Sequence, residues 1–245
     1  MRGAGARRAV VTTTVLGALL IPLGGCGGPG PAHPDGFHTR AEGRSADKPA
    51  GRPTRIPDVG DRLQRRIPAA SRQVVAVYGD GKDSPDATVV LYTKHGSGWD
   101  RVRDWPAHNG RKGWTTDHRE GDRRSPVGVF TLSDAGGVLA DPGARLPYTR
   151  SAAMAAPRWW PRSYWHDFDY VIAIDYNRVE GTPPNNQTRP RGYSEGGGIW
   201  LHMDHGSGTS ACVSVSRPAM RYLLRTLDPD RHPVVVMGDR ADLKA

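Results

Sequence analysis

The chain has 245 residues, of which 31 are Gly and 21 Pro, so these two types make up about a fifth of it against roughly 12% in an average protein. With 37% apolar residues, the length allows one packed domain plus a loose segment and excludes two large cores. The formal charge of +9 is spread along the chain: three bases and no acid in residues 1–26, 8 bases against 5 acids in residues 27–70, and 23 against 20 beyond. A groove that tracks phosphates would concentrate its charge on the folded part, so no nucleic-acid partner is expected. Two cysteines exclude a disulfide scaffold and a four-cysteine zinc module.

The chain opens with a short positive stretch, Met1 to Arg8, followed by the apolar run Ala9 to Leu23. A charged start and a short apolar middle ending in small residues have the anatomy of a secretory signal, and the run is too short to span a membrane. Leu23-Gly24-Gly25-Cys26 resembles a bacterial lipobox. That resemblance implies cleavage before Cys26, a lipid on its sulfur, and a mature protein outside the cytoplasm, held to the membrane by that lipid. The expected organisation is a signal in residues 1–25, a lipid-anchored linker in 26–70 and one folded domain in 71–245. From Gly27 to Ala70 there are 7 Gly and 7 Pro with no apolar periodicity, the composition of a disordered tether.

From Gln73 onward short β-rich runs alternate with turn signals. QVVAVYG (73–79), ATVVLYT (87–93) and GWDRVRDW (98–105) read as strands, as do PVGVFTL (126–132) and DYVIAIDY (169–176). GIWLHM (198–203), CVSVS (212–216) and HPVVVMG (232–238) complete the series. One helix is well signalled: Ser216 as N-cap, Pro218 in the first turn, and Met220, Leu223, Leu224 and Leu227 at helical spacing before Asp228-Pro229. The expected fold class is mainly β, with sandwich-like mixed sheets, one clear C-terminal helix and irregular loops.

The chemistry concentrates in GGGIWLHMDHGSGTSACVSVS, Gly196 to Ser216. Strand alternation points Ile199, Leu201 and Met203 one way and Trp200 and His202 the other; likewise Val213 and Val215 oppose Cys212 and Ser214. If the apolar sets share the core, His202 and Cys212 face away from it together, and the small, polar connection Asp204 to Ala211 can fold back to bring them close. With Cys26 lipidated, Cys212 is the remaining thiol: buried and inert, paired with another chain, or reactive. A free thiol is only a few per cent thiolate at neutral pH, and an imidazole within reach supplies the missing base. Ser210 and Ala211, small residues before the thiol, leave backbone N–H groups open to an oxyanion. His202, Asp204, His205 and Cys212 are also possible metal ligands, although residues three apart near a strand tend to opposite faces. His205 is the rival base by proximity; the strand favours His202.

His202 followed by Thr209-Ser210-Ala211-Cys212-Val213 resembles the signature of the L,D-transpeptidases of bacterial cell walls, the YkuD-type catalytic domain. REGDRRSPVGVF (119–130) is similar to that family's Thr-Pro-x-Gly-x-Phe strand, with Ser125 where Thr is usual, and Asp175-Tyr176-Asn177 followed by GGGIWLH fits a subgroup. The resemblance implies the transpeptidase fold and a thioester mechanism. Cys212 would be the nucleophile, His202 the general base and acid, Ala211 a backbone oxyanion donor and Thr209 a supporting residue. It implies peptidoglycan stem peptides as partners and requires no metal or organic cofactor. Water or a linked protein as acceptor would make the same site a carboxypeptidase or an amidase. Ala211 stands where the family usually has Gly. If that residue needs a positive φ, its methyl group is costly, and the chain would be a cell-wall-binding lipoprotein without catalysis. Trp159, Trp160, Tyr164 and Trp165 either line a groove or pack under a loop; Arg119, Glu120 and Asp122 read as a solvated turn.

Overall fold

A computed structural model describes residues 51–245. The signal segment, the lipidation position Cys26 and the first part of the linker lie outside the described residues. In chain order the described residues form α1 (Asp61–Gln64), β1 (Gln73–Gly79), β2 (Asp86–His95), β3 (Gly98–His108), β4 (Trp114–Thr115) and β5 (Ser125–Pro126). Then come β6 (Gly128–Thr131), β7 (Ala135–Gly137), β8 (Tyr148–Arg150), β9 (Val171–Ala173), β10 (Trp200–Met203), β11 (Val213–Val215), α2 (Arg217–Thr226), β12 (Val234–Asp239) and α3 (Arg240–Lys244). The domain is mainly β, as its alternating runs lead one to expect. Ten strands make one mixed sheet in the order β6-β12-β1-β2-β3-β11-β10-β9-β7-β8, and β4 pairs with β5 apart from it. Residues from both halves of this sheet, Val75 and Val89 on one side and Ile172 and Leu201 on the other, meet in one core, in keeping with sandwich-like layering.

β1 is buried at every position. Val75 and Val77 join the larger core with Leu91, Leu201, Val213 and the α2 residues Met220, Leu223 and Leu224. Val74, Ala76 and Tyr78 join a second core with Val90, Val234 and Val236. A strand covered on both faces reads as an unbroken apolar run, which is why QVVAVYG does not alternate. α2 begins where expected: Ser216 Oγ accepts the Ala219 N–H at 3.4 Å, and Leu227 and Asp228 close it.

The boundary expected at residue 71 is corrected by the second core. Ile56, Val59 and Leu63 are buried there beside β1, β2 and β12. Backbone bonds tie the segment down, from Trp99 N–H to Pro53 O and from Gly60 N–H to Leu243 O, each 2.8 Å. A Cβ on Gly60 would sit 2.2 Å from Lys244 O, so only Gly allows that approach. Three apolar residues among prolines and charges cannot build a core, but they complete one the strands leave open. Their burial contributes about 1.5–3 kcal/mol per side chain. Two strand expectations also shrink: 169–176 pairs only over Val171–Ala173, and 126–132 divides between β5 and β6.

Candidate active site

β10 and β11 are parallel neighbours, with Leu201 opposite Val213, His202 opposite Ser214 and Met203 opposite Val215. Residues 204–212 thus carry the chain back past β10, so the start of β11 lies beside the start of β10. Leu201, Val213 and Val215 are fully buried in the larger core. The other face presents Trp200, His202, Cys212 and Ser214, as alternation predicts. His202 and Cys212 open into one cleft of about 600 Å³.

The resting thiol is neutral. Burial, with Asp167 adding to it, pushes the Cys212 thiol up to about 11 against the opposing pull of the Trp200 N–H. Sγ accepts that N–H at 3.4 Å and donates to Gly198 O at 3.7 Å. His202 is buried as well, and burial is what holds its imidazole below the usual range, although Asp167 and the Met203 carbonyl pull the other way. Its Nδ1 bonds Met203 O at 2.8 Å and can only donate there, so the lone pair falls on Nε2. Phe168 packs edge-on against the ring at 5.2 Å. The site therefore holds a protonated thiol and a neutral, oriented imidazole on one face of the sheet.

The turn before Cys212 is clamped from behind. Thr209 Oγ1 donates to Cys212 O at 2.6 Å and Ser125 Oγ to Ala211 O at 2.6 Å, while Gly110 N–H bonds Ser125 Oγ at 2.9 Å. The Arg111 N–H donates to Thr209 O at 2.8 Å. The N–H groups of Ser210, Ala211 and Cys212 have no protein acceptor among the described residues, which leaves them free for a developing oxyanion. Ala211 has a negative φ and its methyl lies in the larger core. The position demands no Gly, and the suggested cost of Ala does not arise.

The four side chains read as possible metal ligands are drawn apart. Asp204 turns away, accepting from Ser214 Oγ at 2.7 Å and meeting His108 Nδ1 at 2.8 Å. Burial works to raise its carboxyl, but these partners outweigh it and hold it below the ordinary value. His205 leaves the loop surface and tucks beside Asp167. Among the described residues no three His, Cys, Asp or Glu side chains are grouped to hold a metal ion. Trp160 and Tyr164 line the cleft, whereas Trp159 stands 84% exposed and Trp165 bonds back to Trp160 O. Glu120 is more than a solvated turn, since it pairs with Arg189, itself a cleft residue. Asp167 escapes a reading of the sequence. It sits in an aromatic loop far along the chain from Cys212, and the only tie is spatial: its carbonyl accepts the Met203 N–H at 2.9 Å.

A thiol and an imidazole are thus brought to one cleft by adjacent parallel strands, with a clamped turn between them. The family model for the YkuD L,D-transpeptidase catalytic domain matches residues 82–236. The chain belongs to the YkuD family. The match covers His202 and Cys212 together with Ser125 and Asp167. A search of curated proteins found no match. Among solved structures the YkuD chain is similar to Bd1075 of Bdellovibrio bacteriovorus, at 16% identity and a TM-score of 0.39 over 76% of this chain. It spans about half of that protein, 52% of its length.

Proposed function

We propose that this YkuD protein is a peptidoglycan L,D-transpeptidase that transfers an acyl group through a thioester on Cys212. A stem tetrapeptide enters the cleft with the carbonyl of its third residue over Sγ. The S–H turns from Gly198 O to Nε2 of His202, and the thiolate attacks. The N–H groups of Ser210, Ala211 and Cys212 receive the oxyanion. His202 returns the proton to the leaving D-Ala amine, leaving the thioester for the side-chain amine of a second stem. No metal or organic cofactor takes part. The observation that carries this reading is the shared face of β10 and β11, which turns a neutral thiol and an oriented neutral imidazole into one cleft. Ala211, with its negative φ, removes the reason to read the chain as an inactive wall-binding relative.

The test is an intact mass of the full chain after incubation with a carbapenem and, separately, with a stem tetrapeptide. One adduct mapped to Cys212, with D-Ala released from the peptide, is the expected result. A folded protein without either would return the chain to wall binding. In the same reading the protein is exported and held to the membrane by lipid on Cys26, facing the wall. Cys26→Ser should then move it out of the membrane fraction, and retention with unchanged processing would count against the anchor.

A further inference from the structure

Beneath the cleft lies a polar pair with no assigned task. His205 and Asp167 both line the cleft, and their side chains are only 2% and 4% exposed. His205 Nδ1 lies 2.9 Å from Asp167 Oδ2 but out of line for a hydrogen bond, so neither ring nitrogen has a hydrogen-bond partner. Among the described residues His205 is the basic side chain paired with the Asp167 carboxylate. An imidazole buried with neither nitrogen hydrogen-bonded is costly unless something completes the pair. The pair is also well placed. The His205 ring lies parallel to that of His202, 6.5 Å away at 9°, and Tyr164 packs over it at 4.2 Å. Asp167 is close enough to Cys212 and His202 for its charge to raise both groups.

We propose that Asp167 and His205 form the receiving subsite for a positively charged primary amine, the acceptor of the acyl group. The inference rests on the transpeptidase reading and adds what that scheme lacks. A side-chain amine with a pKa of about 10.4 arrives as an ammonium and must lose a proton before it can attack. An ammonium must shed two protons to become the amide nitrogen, and His202, free again once D-Ala has left, handles only one of them. In the subsite the Asp167 carboxylate draws in the ammonium, and His205 takes one proton, with Asp167 2.9 Å away to balance the charge. The free amine then attacks the thioester carbonyl. The C–N bond forms, the C–S bond breaks, and the second amine proton passes through His202 to the departing sulfur. The products are the amide, the Cys212 thiol and one proton on His205, which leaves to solvent.

The experiment reads how one acyl-enzyme divides between acceptors, so it is independent of how fast that acyl-enzyme forms. The full chain is acylated with a stem tetrapeptide at pH 7 in the presence of a tripeptide stem bearing a free side-chain amine, or of hydroxylamine, which is uncharged there. Products are counted by mass spectrometry. Asp167→Asn should lower the amine-to-water product ratio by about tenfold or more, the order of a lost charge-assisted hydrogen bond. The hydroxylamine-to-water ratio should move by less than about twofold, and Asp167→Glu should recover part of the loss. His205→Gln should show the same loss at pH 7 and regain the ratio near pH 10, where the amine no longer needs a base. If Asp167→Asn does not fold, the His205→Gln ratios decide alone. Unchanged amine ratios in both variants overturn the subsite, as does a wild-type acyl-enzyme that passes only to water. If no acyl-enzyme forms on wild type, the transpeptidase reading itself fails and takes the subsite with it.

Discussion

Along β1 every residue is buried, with Val75 and Val77 in the core beneath α2 and Val74, Ala76 and Tyr78 in the one closed by residues 56–63 and α3. Along β10 and β11 only one face is apolar, where Leu201, Val213 and Val215 pack inward. The opposite face carries His202, Cys212 and Ser214, of which His202 and Ser214 are buried, and hydrogen bonds through Asp204, Thr209 and Ser125 hold it together with Phe168. The contrast separates two ways of fixing a strand. Burial on both faces gives rigidity with no chemistry, and a polar face becomes reactive only where each of its groups is positioned by a specific partner.

The comparison can be tested at either end. The largest effect belongs to the polar face: Cys212→Ala should abolish adduct formation with a carbapenem, leaving the thermal unfolding curve near that of wild type. An adduct that persists in this variant would place the nucleophile elsewhere. Next, His202→Ala should slow single-turnover acylation by about 10²–10⁴-fold, the range for losing a general base. His205→Ala should cost much less in that step, because its place is on the acceptor side. The reverse ranking would mean that the alternation assigned to β10 is wrong. At the apolar end, Leu63→Ala should lower stability in urea by about 2–5 kcal/mol while acylation per folded molecule stays the same. A rate that falls with it would show that the two ends are not separable.

The smallest effect is on pH. Because burial holds the His202 imidazole below its usual value of 6.5, it remains a neutral base under mild acid. Acylation should therefore stay level down through pH 6.5 and fall only below it. The same sign applies to stability: the unfolded chain takes up a proton at 6.5 that the folded one refuses, so folding weakens as pH drops through that window. His202→Gln should flatten that part of the stability curve. An acid limb at or above 6.5 in the rate would instead indicate an imidazole in contact with solvent.

The faces of β10 and β11 are legible in the sequence because alternation is a local property, and it is enough to bring His202 and Cys212 to one side. The capped α2 is legible for the same reason. What escapes depends on contacts distant in the chain. Asp167 meets β10 through a carbonyl, a contact no side-chain pattern records. Residues 53–67 look like tether by composition, since a segment that completes another segment's core needs only three well-placed apolar residues. His205 looks like a loop histidine ahead of two glycines, and its burial depends on Tyr164 and Asp167 closing over it. The parallel pairing of β10 with β11 is hidden as well, because a fold-back and a short crossover have the same composition.

Ser125, buried and more than eighty residues before Cys212, has a consequence beyond holding a loop. A peptide group is planar and trans, so fixing its carbonyl at one edge fixes its N–H at the other, pointing the opposite way. With Ala211 O tied to the Ser125 hydroxyl and Thr209 O tied to the Arg111 N–H, the N–H vectors of Cys212 and Ser210 are aimed before any substrate arrives. In the proposed reaction two fixed bond dipoles would meet the growing negative charge without having to reorient, and reorientation is the main cost that water imposes on the same reaction. The hydroxyl never approaches the substrate, yet it decides which way the backbone's positive ends are turned.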